Sequence, residues 1–283
     1  TGRPAAPAGL TLLTVETRDL QPCILEVNNF TSRTGLSVES VGQGEEWHGY
    51  RTKVVLTLEK LSALRERLGP DAAAKELVVF MDSSDVFWGG CEVETFLTRY
   101  RELVAQQGAP IIFGGETIWP KHVFEKDIPI PEPVAPGFWT PYISGCGQRC
   151  NGAWRDICSG RKLPTCCTCH PSRASFPALQ VPGLDPDRPD LRWLNSGFFI
   201  GPVDKVADMM RWVLDHYNSY SVPEIEHSDQ QVFSAYWQTH PSLVTLDYRG
   251  ELVVNLGGLG SNSVKVDRRN GIVTNEPLGQ PAC

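Results

Sequence analysis

Between Leu77 and Met81 the chain reads Leu-Val-Val-Phe-Met, then turns acidic at once as Asp82-Ser83-Ser84-Asp85. No other feature constrains the fold as tightly. A short strand without a polar side has to be covered on both faces, the condition of a strand inside a parallel α/β sheet. In open sheets of that class, ligands bind beyond the carboxyl ends of the strands. Asp82 and Asp85 are therefore expected at the crevice, where both can point at one hard cation. Mg2+ or Mn2+ takes oxygen ligands and commonly holds substrate phosphates as well. The competing reading is that Asp82 caps a turn and Asp85 is solvated.

The flanking sequence supports the α/β expectation. Leu10–Val15 is a second buried run, and Leu36–Val41 is another candidate strand. From Tyr50 to Leu68, Val54, Val55, Leu58, Leu61 and Leu64 recur at helical spacing, and Gly69-Pro70 stops the helix. Val93, Phe96, Leu97, Tyr100, Leu103 and Val104 mark a further helix ending near Gly108, followed by a strand at Ile111–Phe113. This β-α-β-α-β order predicts a parallel sheet with helices on both faces. The rhythm fails from Gly114 to about Arg192, in a stretch rich in Pro, Gly, Cys and Trp. It returns with a strand at Trp193–Gly201, a helix marked by Val206, Met209, Met210, Val213, Leu214 and Tyr217, and a capped helix from Ser228 to Tyr236. Leu243–Leu246 and Leu252–Val254 read as strands. A single domain, 1–283, is expected, with 115–192 as a cysteine-rich insertion or lid.

Composition excludes several classes. With 41% hydrophobic residues the chain can bury a core and is not largely disordered. Its 26 Lys and Arg against 33 Asp and Glu leave a net charge of −7, which argues against a general nucleic-acid binder. No run reaches the ~18–20 apolar residues of a membrane span. The chain opens at Thr1 without a basic-then-apolar leader, which reads as a processed chain or an excised domain.

Of nine cysteines, six fall between Cys146 and Cys169: Cys146, Cys150, Cys158, Cys166, Cys167 and Cys169. So dense a set in an irregular stretch suits disulfides formed in an oxidising compartment. A zinc site drawn from Cys146, Cys150, Cys166, Cys169 and His170 is the alternative, although the spacing matches no two-pair zinc pattern. Asn29-Phe30-Thr31 is a glycosylation sequon. Together these point to the secretory pathway lumen (endoplasmic reticulum or Golgi) or to the extracellular space.

Several segments, in order, resemble the glycosyltransferase domain of the procollagen lysyl hydroxylase family. They are Leu12-Leu13-Thr14-Val15-Glu16-Thr17, Gly42-Gln43-Gly44-Glu45-Glu46-Trp47, Thr52-Lys53-Val54 and Val79-Phe80-Met81-Asp82-Ser83-Ser84-Asp85-Val86. Phe113-Gly114-Gly115-Glu116 with Trp119-Pro120, and Leu194-Asn195-Ser196-Gly197-Phe198-Phe199-Ile200-Gly201, follow. The series ends with Ser228-Asp229-Gln230-Gln231-Val232-Phe233, Leu246-Asp247 and Val253-Val254-Asn255-Leu256. The resemblance implies a GT-A, Rossmann-like nucleotide-diphospho-sugar transferase fold, with a mostly parallel central sheet and helices on both faces. It implies Mn2+ or Mg2+ as metal, UDP-glucose or UDP-galactose as donor, and a hydroxyl on a secreted protein or glycan as acceptor.

The same resemblance implies roles residue by residue. Asp82 and Asp85 hold the metal, Thr14 and Trp47 lie on the uridine side, and Lys53 lies near the diphosphate. Glu116 and Trp119 sit beside the sugar, and Asp229 belongs to an acidic patch there. Asp229 and Glu116 would orient sugar hydroxyls, or one of them would serve as a base toward the acceptor. Asn195 and Asn255 are further donor-site candidates. The residues themselves also allow a core Trp47, a solvated Lys53, a first-turn Asp229 and turn-satisfying asparagines. Three departures stand out. Ser84 replaces the family's aromatic between the metal aspartates, the loop between Trp47 and Lys53 is shorter, and only part of the acidic run survives at Glu224–Ser228. The family's third metal ligand, a His in a His-Gly-Asn-Gly segment, would align just past Cys283. These departures keep open a non-catalytic binding or scaffold domain of the same fold.

Overall fold

The computed structural model describes residues 9–20, 24–25, 28, 36–83, 86, 91–116, 193–220, 229–255, 264–267, 272–275 and 280–281, and the backbone of 139–143 and 167–171. Its centre is a six-stranded sheet. The strands are β1 (Leu10–Val15), β2 (Val38–Val41), β3 (Leu77–Met81), β4 (Ile111–Glu116), β7 (Trp193–Pro202) and β8 (Val244–Asp247), with β5 (Trp139–Ile143) and β6 (Cys167–Pro171) forming a separate antiparallel pair. The order across the central sheet is β2-β1-β3-β7-β4-β8. Three short strands, β9 (Val264–Asp267), β10 (Ile272–Asn275) and β11 (Gln280–Pro281), make an antiparallel sheet of their own.

Strand pairing is parallel for β1 with β2, β1 with β3, and β4 with β8. The exception is β7, which runs antiparallel between β3 and β4. The β-α alternation of the first hundred residues gives no sign of it, because β7 arrives about eighty residues after β4 and fills the gap between two strands already made.

Alternation along the strands builds a core on each face of the sheet. Leu13, Phe80, Phe113 and Phe199 face one way, toward α1 (Tyr50–Leu68), α4 (Val203–Asp215) and α6 (Asp229–Thr239). Leu12, Val79, Ile112 and Phe198 face the other way, toward α3 (Val93–Gln107). On the first face Phe80 stacks on Phe199 at 4.8 Å, and Phe113 tilts against the same ring at 5.0 Å. The helix over Tyr50–Leu68 has the expected bounds, and α3 closes on Gly108 in the left-handed conformation, as its sequence suggests. Two further short helices are α2 (Pro70–Ala73) and α5 (Tyr217–Tyr220). Tyr217 thus opens a separate turn rather than prolonging α4.

One expected strand does not form. Leu252–Val254 is irregular, because its backbone is held by a side chain instead of a ladder. The buried Asp247 carboxylate accepts from the backbone N–H of Glu251 (2.8 Å), Leu252 (2.6 Å) and Val253 (3.0 Å). A carboxylate that binds three consecutive amides leaves none of them for a neighbouring strand. The resulting turn ends at Asn255, beside the carboxyl end of β4. Asp85, Trp119, the sequon Asn29-Phe30-Thr31 and the side chains of the six clustered cysteines lie outside the described residues.

Candidate functional site

The register between β4 and β7 breaks where the chemistry gathers. Phe113 pairs with Phe199, but Gly114 pairs with Asn195, so Ser196-Gly197-Phe198 is left out of that ladder. The freed segment follows β3 instead: Met81 pairs with Phe198, and the Asp82 N–H donates to the Gly197 carbonyl at 2.8 Å. A bulge of this kind re-aims side chains. Here it brings Asn195 and Ser196 to the carboxyl ends of β3 and β4, together with Asp82, Glu116 and the first residues of α6.

Lys53 is the hub of one half of the site. It sits on α1, only 4% exposed, and is not the solvated helix residue that its spacing allowed. Its Nζ lies 2.7 Å from Asp229 Oδ2 and 2.9 Å from Asp82 Oδ1, and donates to the Ser196 carbonyl at 3.1 Å. Two of these contacts are hydrogen bonds, to Asp82 and to the Ser196 carbonyl, and the one with Asp229 is an ion pair. Burial works against the charge on Lys53, but the two carboxylates outweigh it and hold the group protonated above its ordinary range. Asp229 is 2% exposed, and its other oxygen accepts from Ser196 Oγ at 3.2 Å. Burial pushes the Asp229 carboxyl up, against the pull of Lys53. With both oxygens serving protein partners, Asp229 and Lys53 act through their neighbours. Asp82 differs, because its side chain is 33% exposed.

Glu116 is the hub of the other half. Its Oε1 accepts from Gln230 Nε2 at 2.7 Å, and its Oε2 accepts from Asn195 Nδ2 and Asn255 Nδ2, each at 3.2 Å. Burial raises its pKa, and the three amide donors oppose the shift. Asn195 turns its own Oδ1 to the Gly197 N–H at 2.9 Å, and Gln230 Oε1 makes a long contact of 3.4 Å with the Ser196 N–H. Gln230 therefore ties the Glu116 half to the Lys53 half. The local sequence of Gln230 displays no role of this kind. Its signal was only its place beside Asp229 in the first turn of α6.

The two uridine-side candidates lie apart in character. Trp47 is 46% exposed and meets Tyr50 edge-on at 6.0 Å, so it is not a core aromatic. Thr14 is wholly buried, and its Oγ1 donates to the Met81 carbonyl at 2.7 Å, bracing β3 rather than lining an open pocket.

Gly197 matters for what can approach Asp82. A Cβ there would lie 3.1 Å from Asp82 Oδ2 and 3.0 Å from Asn195 Oδ1. The missing side chain keeps the outer face of Asp82 open. An accessible carboxylate oxygen with that clearance suits a hard, oxygen-seeking cation. Among the described residues no group of three His, Cys, Asp or Glu is placed to hold a metal.

An α/β sheet with an acidic crevice at the carboxyl ends of its strands fits a Rossmann-like, GT-A type of transferase. Residues 7–134 match the family model of the PLOD GT domain, so this part of the chain is similar to the glycosyltransferase domain of the lysyl hydroxylase family. A search of curated proteins found no match. A glycosyltransferase domain implies a nucleotide-sugar donor and an acceptor as partners. None of the described helices is long and apolar enough to cross a membrane.

Proposed function

We propose that the protein is a metal-dependent hexosyltransferase. It moves glucose or galactose from a UDP-sugar to a hydroxyl on a secreted protein or glycan. The observation that carries this reading is Asp82, set at the end of a buried strand, exposed on one side and fixed on the other by Lys53. Asp82 and Asp85 would hold Mn2+ or Mg2+. When bound, such a cation offsets the charge of the diphosphate and of the leaving UDP.

The protein's own residues do the rest. Lys53 neutralises Asp229 and orients Asp82, which keeps one carboxylate oxygen turned outward. Glu116, with three of its roughly four lone-pair positions occupied by amides, has one acceptor position left for a sugar hydroxyl. The amides of Asn195, Gln230 and Asn255 keep that position fixed, so the hexose is oriented at little entropic cost. Trp47 offers an exposed aromatic face to the uracil, and Trp119 is the proposed stacking partner of the sugar. A secretory-pathway location belongs to the same proposal, and a disulfide at the buried Cys91 accords with an oxidising compartment.

Calorimetric titration with UDP, with and without Mn2+, tests the reading. Wild-type protein is expected to bind UDP in a metal-dependent manner, and Asp82→Ala and Asp85→Ala are expected to abolish that dependence. Metal-independent binding, or none, would overturn it. The second reading, a binding or scaffold domain with impaired catalysis, is favoured by the burial of Lys53 against Asp229, Asp82 and the Ser196 carbonyl, which turns it away from a diphosphate. It predicts a folded wild type that gives no transfer from either UDP-hexose.

A further inference from the structure

The residues on either side of Asp82 are both held by the tail of β1. The parallel register pairs Leu13 with Phe80; continued, it sets Thr14 beside Met81 and, past the strand ends, Glu16 beside Ser83. Thr14 Oγ1 donates to the Met81 carbonyl at 2.7 Å, and Ser83 Oγ donates to Glu16 Oε2 at 2.6 Å. Thr14 and Glu16, two apart on an extended chain, share one face and grip β3 just before and just after Asp82.

Glu16 is itself locked. Its N–H donates to the Val41 carbonyl of β2 at 2.9 Å. Its carboxylate, 3% exposed, accepts from Arg18 Nε at 2.8 Å, from Arg18 Nη2 at 2.9 Å and from the Arg18 N–H at 2.9 Å. A forked guanidinium–carboxylate pair fixes the plane of both groups. The Ser83 hydroxyl is therefore received by a buried acceptor already held by three donors from Arg18. On the opposite side the Asp82 N–H is tied to the Gly197 carbonyl.

We propose that Glu16, backed by Arg18, is a positioning residue of the metal site: through Ser83 it fixes the backbone that aims Asp82 into the crevice. The inference rests on the donor-site reading given above. Groups that orient a ligand from behind commonly change metal affinity by about 10–100-fold when removed. Preorganisation is the physical reason, since an untethered carboxylate loses conformational freedom on binding that a tethered one has already given up.

The test uses Ser83→Ala, Ser83→Thr and Glu16→Gln in the whole chain. Mn2+-dependent UDP binding is followed by calorimetry, and thermal unfolding and amide exchange at Asp82 and Ser83 are followed in the metal-free protein. Ser83→Ala and Glu16→Gln are expected to raise the Mn2+ needed for half-saturation by about tenfold. They are also expected to speed exchange at these amides, with the UDP stoichiometry unchanged. Ser83→Thr, which keeps the hydroxyl, is expected to restore both. If Glu16→Gln does not fold, the Ser83 pair decides. A lowered melting temperature with an unchanged Mn2+ requirement would reduce the contact to a structural one and overturn the inference while leaving the donor site standing. A wild type without metal-dependent UDP binding would remove the donor site and the inference with it.

Discussion

Replacing Lys53 by Met gives the sharpest test of the buried charge cluster. Methionine keeps most of the length and the apolar stem but takes away the cation paired with Asp229, whose oxygens lie 2.7 Å from Lys53 Nζ and 3.2 Å from Ser196 Oγ. Asp82 can turn to water because it is partly exposed, but Asp229 cannot. Removing one partner of a buried pair costs about 3–5 kcal/mol, since the remaining charge is neither hydrated nor neutralised. In a domain of this size that corresponds to a fall in melting temperature of about 6–20 °C. Asp229→Asn is milder, because Lys53 keeps Asp82 and the Ser196 carbonyl; about 1–3 kcal/mol is expected. The double variant Lys53→Met/Asp229→Leu is the decisive comparison. It removes both charges together and is expected to recover at least about 2 kcal/mol of the single-variant loss. Denaturant unfolding of the metal-free proteins at neutral pH measures all three. The reasoning is refuted if Lys53→Met lies within about 1 kcal/mol of wild type, or if the double variant is no more stable than Lys53→Met alone.

Other consequences can be checked with equal directness. Glu16 is lowered from its ordinary 4.5 to about 2, chiefly by the hydrogen bond from Arg18. A depressed carboxyl stabilises the fold above its unfolded pKa and loses that contribution as pH falls toward its folded value. Acid unfolding should steepen between about pH 4.5 and 2, and Glu16→Gln should flatten that limb. Gly197→Ala puts a methyl 3.0 Å from Asn195 Oδ1 and 3.1 Å from Asp82 Oδ2. It should cost about 1–3 kcal/mol in chemical denaturation and weaken Mn2+-dependent UDP binding, whereas unaltered binding would show that Asp82 does not need the opening. Asp247→Ala orphans the amides of Glu251, Leu252 and Val253 and should cost about 2–4 kcal/mol. Fast amide exchange confined to that turn is the signature, and uniform destabilisation without it would refute the local account.

Local pattern carried the parts of the fold that local forces make. Leu77–Met81, Tyr50–Leu68 and the Gly108 stop were legible because burial on both faces, helical spacing and a left-handed glycine are each decided within a few residues. The antiparallel sense of β7 was not legible, because Trp193–Pro202 has the same apolar texture whichever way it runs. The false strand at Leu252–Val254 failed for a related reason: its apolar residues are compatible with a ladder, but Asp247, five residues earlier, had already claimed the amides. At the site, Asp82 could be placed because a buried strand delivers it. The commitments of Lys53, Thr14 and Asp229 could not, since each depends on a partner 29 to 176 positions away. Glu16 was not legible at all, because its role comes from the register between β1 and β3, which sequence does not display.

The placement of β7 also governs the order in which the molecule can be assembled. Emerging from a ribosome, the chain can pair β1, β2 and β3 early, but among the described strands β4 pairs only with β7 and β8, both made after residue 192. Until then β3 offers an open, apolar flank, the kind of edge that recruits other chains. A fragment ending near residue 134 would stop short of the strand that closes this flank. It should be a poor substitute for the whole chain and prone to self-association, even though it spans the whole of the family-model match at residues 7–134.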